Sequence, residues 1–270
     1  MNLIGSIRKQ YPEAPEIFVY DLGLFFSFRK QLAVLPGVTV ITMPSFVPYW
    51  RACYTWKTYI FMHPLARFNL YLDAGTQVLR PLDDIFHAIE HQGYFAVSQE
   101  VPLNMITPVE FKSLFNISED LYQKTCITAG VFGFAREGKI TAVLEKVYAA
   151  AVAGLCLGFS DSPGEQWKNR GMNKSQFIRN CKLFRHDTTI LSLVLRQEYG
   201  DFTPQDIRLY AGLSKHEDPH QAIWNLRLHY SQLDWAGTSL RIGAWRHINT
   251  GLVNSMVFMK RILNKLKSKH

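Results

Sequence analysis

The chain has 270 residues, 47% hydrophobic and 19% charged, a balance that provides a sizeable core and excludes a disordered protein. Its formal charge of +8 is uneven: residues 236–270 hold Arg241, Arg246, Lys260, Arg261, Lys265, Lys267 and Lys269 and no acid, so the tail carries +7 and the rest +1. A nucleic-acid groove needs its cations on the folded body, so no nucleic-acid partner is expected.

Cys53, Cys126, Cys156 and Cys181 lack Cys-x-x-Cys spacing and sit in mostly apolar or mixed contexts, which predicts reduced, buried thiols. No apolar run reaches the roughly 18 to 20 residues of a membrane span, and the N-terminus lacks a signal-peptide core. A cytoplasmic location is therefore expected. The triplets starting at Asn116 and Asn173 match the glycosylation pattern, but such triplets are frequent by chance.

In chain order, EIFVYDLGL (16–24) reads as a strand entering a turn and GVTVITM (37–43) as a second strand. FNLYLDAG (68–75) is the third, RPLDDIF (80–86) opens a helix with acids in its first turn, and GYFAVSQ (93–99) is the fourth strand. CITAGVFGFAR (126–136) is a further apolar strand, followed by the helix KITAVLEKVYAAAVAGL (139–155). Residues 158–180 are polar and glycine-rich, which predicts a loop with a short helix, and a loop of that length in a compact domain is usually functional or mobile. HDTTILSLVLRQEY (186–199) is helical, with His186 or Asp187 at its N-cap. Alternating strands and helices imply an α/β domain with a mainly parallel sheet flanked by helices.

Asp73 closes the apolar run of the third strand and stands directly before Ala74-Gly75. In open α/β sheets, ligands collect at the C-terminal strand edge, and glycine lets backbone approach one closely. An Asx-turn that merely finishes the strand is the competing reading.

With these residues in view, LDAGTQVLRPLDDIF resembles the Asp-x-Asp region of nucleotide-sugar glycosyltransferases of the GT-A fold, especially the glycogenin-like and bacterial polysaccharide enzymes. SIRKQYPEAPEIFVYDLGL is similar to their first helix and second strand, and YTWKTYIF to the Trp-Lys segment before the motif strand. TAGVFGFAR resembles their Asn-Ala-Gly-hydrophobic strand and HDTTILSLVL their His-Asp-Gln helix start. The pieces occur in family order over residues 5–196. The resemblance implies a Rossmann-like GT-A sheet over residues 1–235 and transfer of a sugar from a nucleotide-sugar donor to a glycan or lipid-linked acceptor. A catalytically inactive binding or scaffold protein on the same fold is the alternative.

The same resemblance assigns roles. Asp73, Ala74, Gly75, Lys57, Thr128, Ala129, Gly130 and Arg227 would bind the donor. Lys57 would meet a phosphate or else be a solvated surface lysine. Asp187, with His186, would act on the acceptor hydroxyl, or the two would simply cap their helix. Arg227, in the segment with Gln221, Trp224 and Asn225, would clasp a pyrophosphate or form a helix-surface ion pair. Asp73 would be a ligand of Mn²⁺ or Mg²⁺, but its usual acidic partner is Gly75 here, so a second group such as Asp161 or a histidine would be needed. The chain also begins at what resembles the helix after the family's first strand, which implies an N-terminally incomplete domain lacking about 20 to 40 residues.

On a helix, Met256, Met259, Ile262, Leu263 and Leu266 would share an apolar stripe beside Lys260, Lys265, Lys267 and Lys269. This predicts a peripheral contact of the 236–270 tail with an anionic membrane surface, the alternative being a terminal helix docked on the domain.

Overall fold

A computed structural model describes residues 2–13, 15–158, 184–216 and 218–225. The tail stripe, the 158–180 loop beyond Gly158, Asp161, Cys181 and Arg227 lie outside the described residues.

The helices are α1 (Asn2–Gln10), α2 (Phe26–Ala33), α3 (Trp56–Met62), α4 (Asp83–Gln92), α5 (Leu103–Ile106), α6 (Val109–Leu114), α7 (Glu119–Tyr122), α8 (Lys139–Val152), α9 (Asp187–Tyr199) and α10 (Ile207–Tyr210). The strands are β1 (Ile17–Asp21), β2 (Val38–Thr42), β3 (Phe68–Leu72), β4 (Thr76–Val78), β5 (Tyr94–Pro102), β6 (Thr125–Ala135) and β7 (Ile223–Asn225). The result is a mixed α/β fold with helices against its sheets, and the strands expected from the apolar runs all form.

Strand sense is more mixed than the expected mainly parallel sheet. β1 and β2 pair in parallel, whereas β3–β6–β5 and β4–β7 are antiparallel. The reason lies in the connections. A parallel return from β5 must span its length, about 30 Å for nine residues. The intervening helices α5, α6 and α7 have four, six and four residues, each only about 6–9 Å long. They carry the chain to the near end of β6, which therefore runs back along β5.

β6 is the centre of the core among the described residues. From Cys126 to Ala135 every residue is buried, because β3 and β5 flank it while α4, α8 and α9 pack against it. Gly133 is required here: a Cβ at that position would lie 2.6 Å from Ile89 Cδ1 and 2.8 Å from Phe95 Cβ, closer than packed carbons approach. α8 and α9 supply Ile140, Val143, Leu144, Val147, Ile190, Leu191, Val194 and Leu195 to the same core. The apolar surroundings also explain the thiols. Cys126 and Cys156 are buried and Cys53 half-buried, as the sequence implies, and desolvation pushes Cys53 and Cys126 up to about 11.

Candidate functional site

β3 ends at Leu72, and the next residue, Asp73, continues the pairing with β6 by donating its N–H to the Gly130 carbonyl (2.9 Å). α9 is tied to the same stretch, since Ala129 N–H donates to Thr188 Oγ1 (3.2 Å). Strand pairing and helix packing thus bring Asp73, Ala129-Gly130 and Asp187 together, although they are far apart in sequence.

Lys57, on the first turn of α3, joins them. Its ammonium Nζ lies 2.9 Å from Asp73 Oδ1, 3.3 Å from Asp187 Oδ2 and 3.3 Å from the Ala129 carbonyl, to which it donates. Tyr71 donates its hydroxyl to Asp73 Oδ1 (2.8 Å). Only 4% of Lys57 is exposed, so the solvated-lysine reading is corrected: one buried cation serves two carboxylates and a carbonyl, matching its three N–H donors. All three of those donors face protein oxygens.

The electrostatics follow. Burial works to lower the Lys57 pKa, but Asp187 and then Asp73 outweigh it, leaving the ammonium above its ordinary value. Burial pushes Asp187 up, Lys57 pulls it back, and Asp73 adds to the rise. Tyr71 is raised strongly, first by desolvation and then by Asp73. Two acids against one base give the cluster a net charge of −1 when all are ionised.

The Asx-turn reading of Asp73 does not hold. The turn is closed by the Asp73 backbone carbonyl, which accepts from Thr76 N–H (2.9 Å) and Thr76 Oγ1 (2.8 Å). The carboxylate points instead at Lys57 and Tyr71. Its second oxygen lies where a Cβ on Gly130 would be only 2.8 Å away, so glycine at 130 makes room for it. Ala74 and Gly75 are exposed, and a Cβ at Gly75 would meet nothing within 4 Å. Thr128 is buried, with its hydroxyl accepting from Gly130 N–H (3.1 Å).

Asp187 is 3% exposed and faces Lys57. His186 precedes it at φ 51°, and no side chain caps α9 at that position, so capping does not account for His186. His186 Nδ1 contacts the Cys156 carbonyl (2.9 Å), which requires hydrogen on Nδ1 and leaves Nε2 the acceptor in the neutral ring. Sequence reasoning missed Tyr54: half-exposed, its ring lies 5.2 Å from Lys57 Nζ and 6.2 Å from the His186 ring. Cys53 and Tyr54 hold φ of 52° and 60°, so left-handed backbone collects around this cluster, as it does at functional sites. Nothing local in the sequence signals it. Tyr71 was detectable, because in a strand it shares a face with residue 73.

Gln221, Trp224 and Asn225 are not on a helix. Trp224 and Asn225 lie in β7, paired with Gln77 and Thr76 of β4, while Gln221 bonds His216 N–H and the Ser214 carbonyl. A cavity of about 350 Å³ lined by His63, Leu65, Arg136 and Leu144 among others lies at the far end of β3 and includes none of the cluster.

The metal that the resemblance implies does not fit the residues around Asp73. Gly75 offers no carboxylate, and Lys57 already neutralises the shared oxygen of Asp73. A divalent ion on the other oxygen, about 5 Å from that ammonium, would meet repulsion on the order of several kcal/mol before solvent screening. Among the described residues no group of three His, Cys, Asp or Glu side chains is placed to hold an ion.

No protein-family profile and no curated protein matches the chain. Among solved structures, the crystal structure of an active-site mutant of LgtC, a glycosyltransferase, is similar at a TM-score of 0.41 and 14% identity, over 82% of this chain and 80% of that one. Among the described residues no helix is long and apolar enough to cross a membrane.

Proposed function

We propose that this chain is a glycosyltransferase that holds the sugar of a nucleotide-sugar donor at Asp73 and transfers it to a glycan or lipid-linked acceptor. The observation that supports this reading is the convergence of Lys57, Asp73, Ala129 and Asp187 at one strand edge. Lys57, braced from behind by buried Asp187, fixes one oxygen of Asp73, and the other is left to accept a sugar hydroxyl. Gly75 and Gly130 keep the approach clear. Asp187 acts as a positioning residue, and His186 Nε2 is the better placed acceptor for the proton of the attacking hydroxyl. Lys57 already counters the Asp73 carboxylate, so the reading places no divalent ion on that carboxylate.

A sugar-binding protein without turnover is the second reading, favoured by the burial of Asp187 and by Gly75 in place of an acid. Calorimetry with a panel of nucleotide sugars, with and without Mn²⁺, tests both readings. Binding that weakens at least about tenfold in Asp73→Asn, a loss of about 1.4 kcal/mol, is expected. Product formation then separates the readings. Absence of nucleotide-sugar binding, or binding unaffected by Asp73→Asn, overturns the proposal.

A further inference from the structure

The segment from the end of β1 into α2 presents Leu24 (39% exposed), Phe25 (71%), Phe26 (71%) and Phe28 (40%) to solvent. α2 buries none of its residues. Phe25 and Phe28 stand with ring centroids 6.5 Å apart, so the side chains form a contiguous apolar knob and not scattered exposures. Such a patch marks a contact surface.

Charge indicates its partner. From residue 22 to residue 72 the sequence has no Asp or Glu, while it has Arg29, Lys30, Arg51, Lys57 and Arg67. Lys57 is buried and Arg29 is paired with Asp21 (2.5 Å), which leaves Lys30 and Arg51 beside the knob. Lys30 Nζ lies 4.4 Å from the Phe26 ring centroid, and exposed Arg51 reaches within 3.8 Å of the Cβ position of Gly23. A second copy of the chain meeting this face through the same patch would set Lys30 and Arg51 against their own counterparts, with the adjacent acid, Asp21, already taken up by Arg29. An anionic lipid surface satisfies both halves: the phenylalanines enter the headgroup boundary and the cations meet phosphates.

We infer that Leu24, Phe25, Phe26 and Phe28, flanked by Lys30 and Arg51, form a docking surface for an anionic membrane. It is independent of the cluster around Lys57.

Vesicle co-sedimentation of the full chain tests it, with phosphatidylcholine alone and mixed with phosphatidylglycerol, at low and high salt. Wild type is expected to bind the mixed vesicles at low salt. Phe25→Ser with Phe26→Ser is expected to lower partitioning at least about tenfold, and Lys30→Glu with Arg51→Glu about tenfold, on the anionic vesicles only. These side chains face solvent, so unchanged melting curves are expected to show that each variant folds. The inference is overturned if wild type stays in the supernatant, or if the phenylalanine variant sediments like wild type, in which case another part of the chain binds. It is equally overturned if the phenylalanine variant loses self-association or binding to a single-stranded oligonucleotide while vesicles never bound.

Discussion

Two strands of this protein close on the same Asp-x-Gly pattern, Asp21-Leu22-Gly23 from the last residue of β1 and Asp73-Ala74-Gly75 directly after β3, and the two acids do different work. Asp21 turns its carboxylate back on its own loop, accepting from Gly23 N–H (2.8 Å) and Leu24 N–H (2.6 Å), with Arg29 at 2.5 Å. Those bonds, the Leu24 one first, hold its pKa below the ordinary carboxylate value. Asp73 leaves its turn to backbone and hydroxyl groups and reaches across the fold to Lys57 and Tyr71. A local motif therefore does not determine whether an aspartate finishes a strand or builds a site; the neighbouring elements do. β1 pairs with β2 and sets Tyr20 against a small cluster of Met43, Trp50 and Ile60, whereas β3 lies against β6, α3 and α9 close in behind the motif, and there a buried cation is available.

The comparison breaks most sharply at the cation. Lys57→Met leaves Asp187 buried without a counter-charge, and a loss of about 3–5 kcal/mol of stability is expected, because removing one partner of a buried pair strands the other. Denaturant unfolding measures it. Asp21→Ala removes the acceptor of two loop N–H groups, which water partly replaces, and the partner of the part-exposed Arg29, so a loss of about 1–2 kcal/mol is expected by the same measurement. Equal costs for the two variants would erase the distinction drawn between the two aspartates.

pH separates them in opposite directions. The pKa of Asp21 is lowered on folding, so its contribution is present above the ordinary value of 3.8 and is lost as pH falls through the lowered one. That of Lys57 is raised, so its contribution is present below 10.5 and is lost as pH rises through the raised value. Melting curves across pH are expected to show an acid-side slope that Asp21→Ala flattens and an alkaline-side slope that Lys57→Met flattens. The smallest effect is expected at Gly75→Ala. Its Cβ meets nothing and its φ is not positive, so stability should stay within about 0.5 kcal/mol. Any fall in nucleotide-sugar affinity in that variant then reports close backbone approach by the ligand and nothing else.

The apolar runs and their punctuation made β1, β2, β3, β5, β6, α8 and α9 legible, since period and turn residues are local properties. Ala129 and Gly130 lie in the middle of β6 and stood out only through the family resemblance, whereas Asp73 was legible as the residue that closes a strand. What Lys57 touches was not, because nothing in YTWKTYIF says that β6 and α9 will enclose its ammonium. Strand sense was misjudged because alternation was visible while the shortness of α5, α6 and α7 was not. The 221–225 segment reads as helix-like in sequence but forms a loop and the short strand β7, with Gln221 bonded to His216 and Ser214 and the Trp224 indole donating to the Leu213 carbonyl.

The pairing of β4 with β7 has a consequence for biosynthesis. Arg80 donates to the His220 carbonyl 140 residues further along, and the Leu79 N–H next to β4 donates to the Ala222 carbonyl. At typical translation speeds that separation takes on the order of ten seconds or more. Until β7 is made, β4 lacks the strand it pairs with, whereas β3, β5 and β6 can pair with one another as soon as β6 has emerged. The nascent protein would therefore pair β4, three residues beyond Asp73, after the β3–β6 pairing that Asp73 extends, and an extended peptide offered during that interval has an open strand to join.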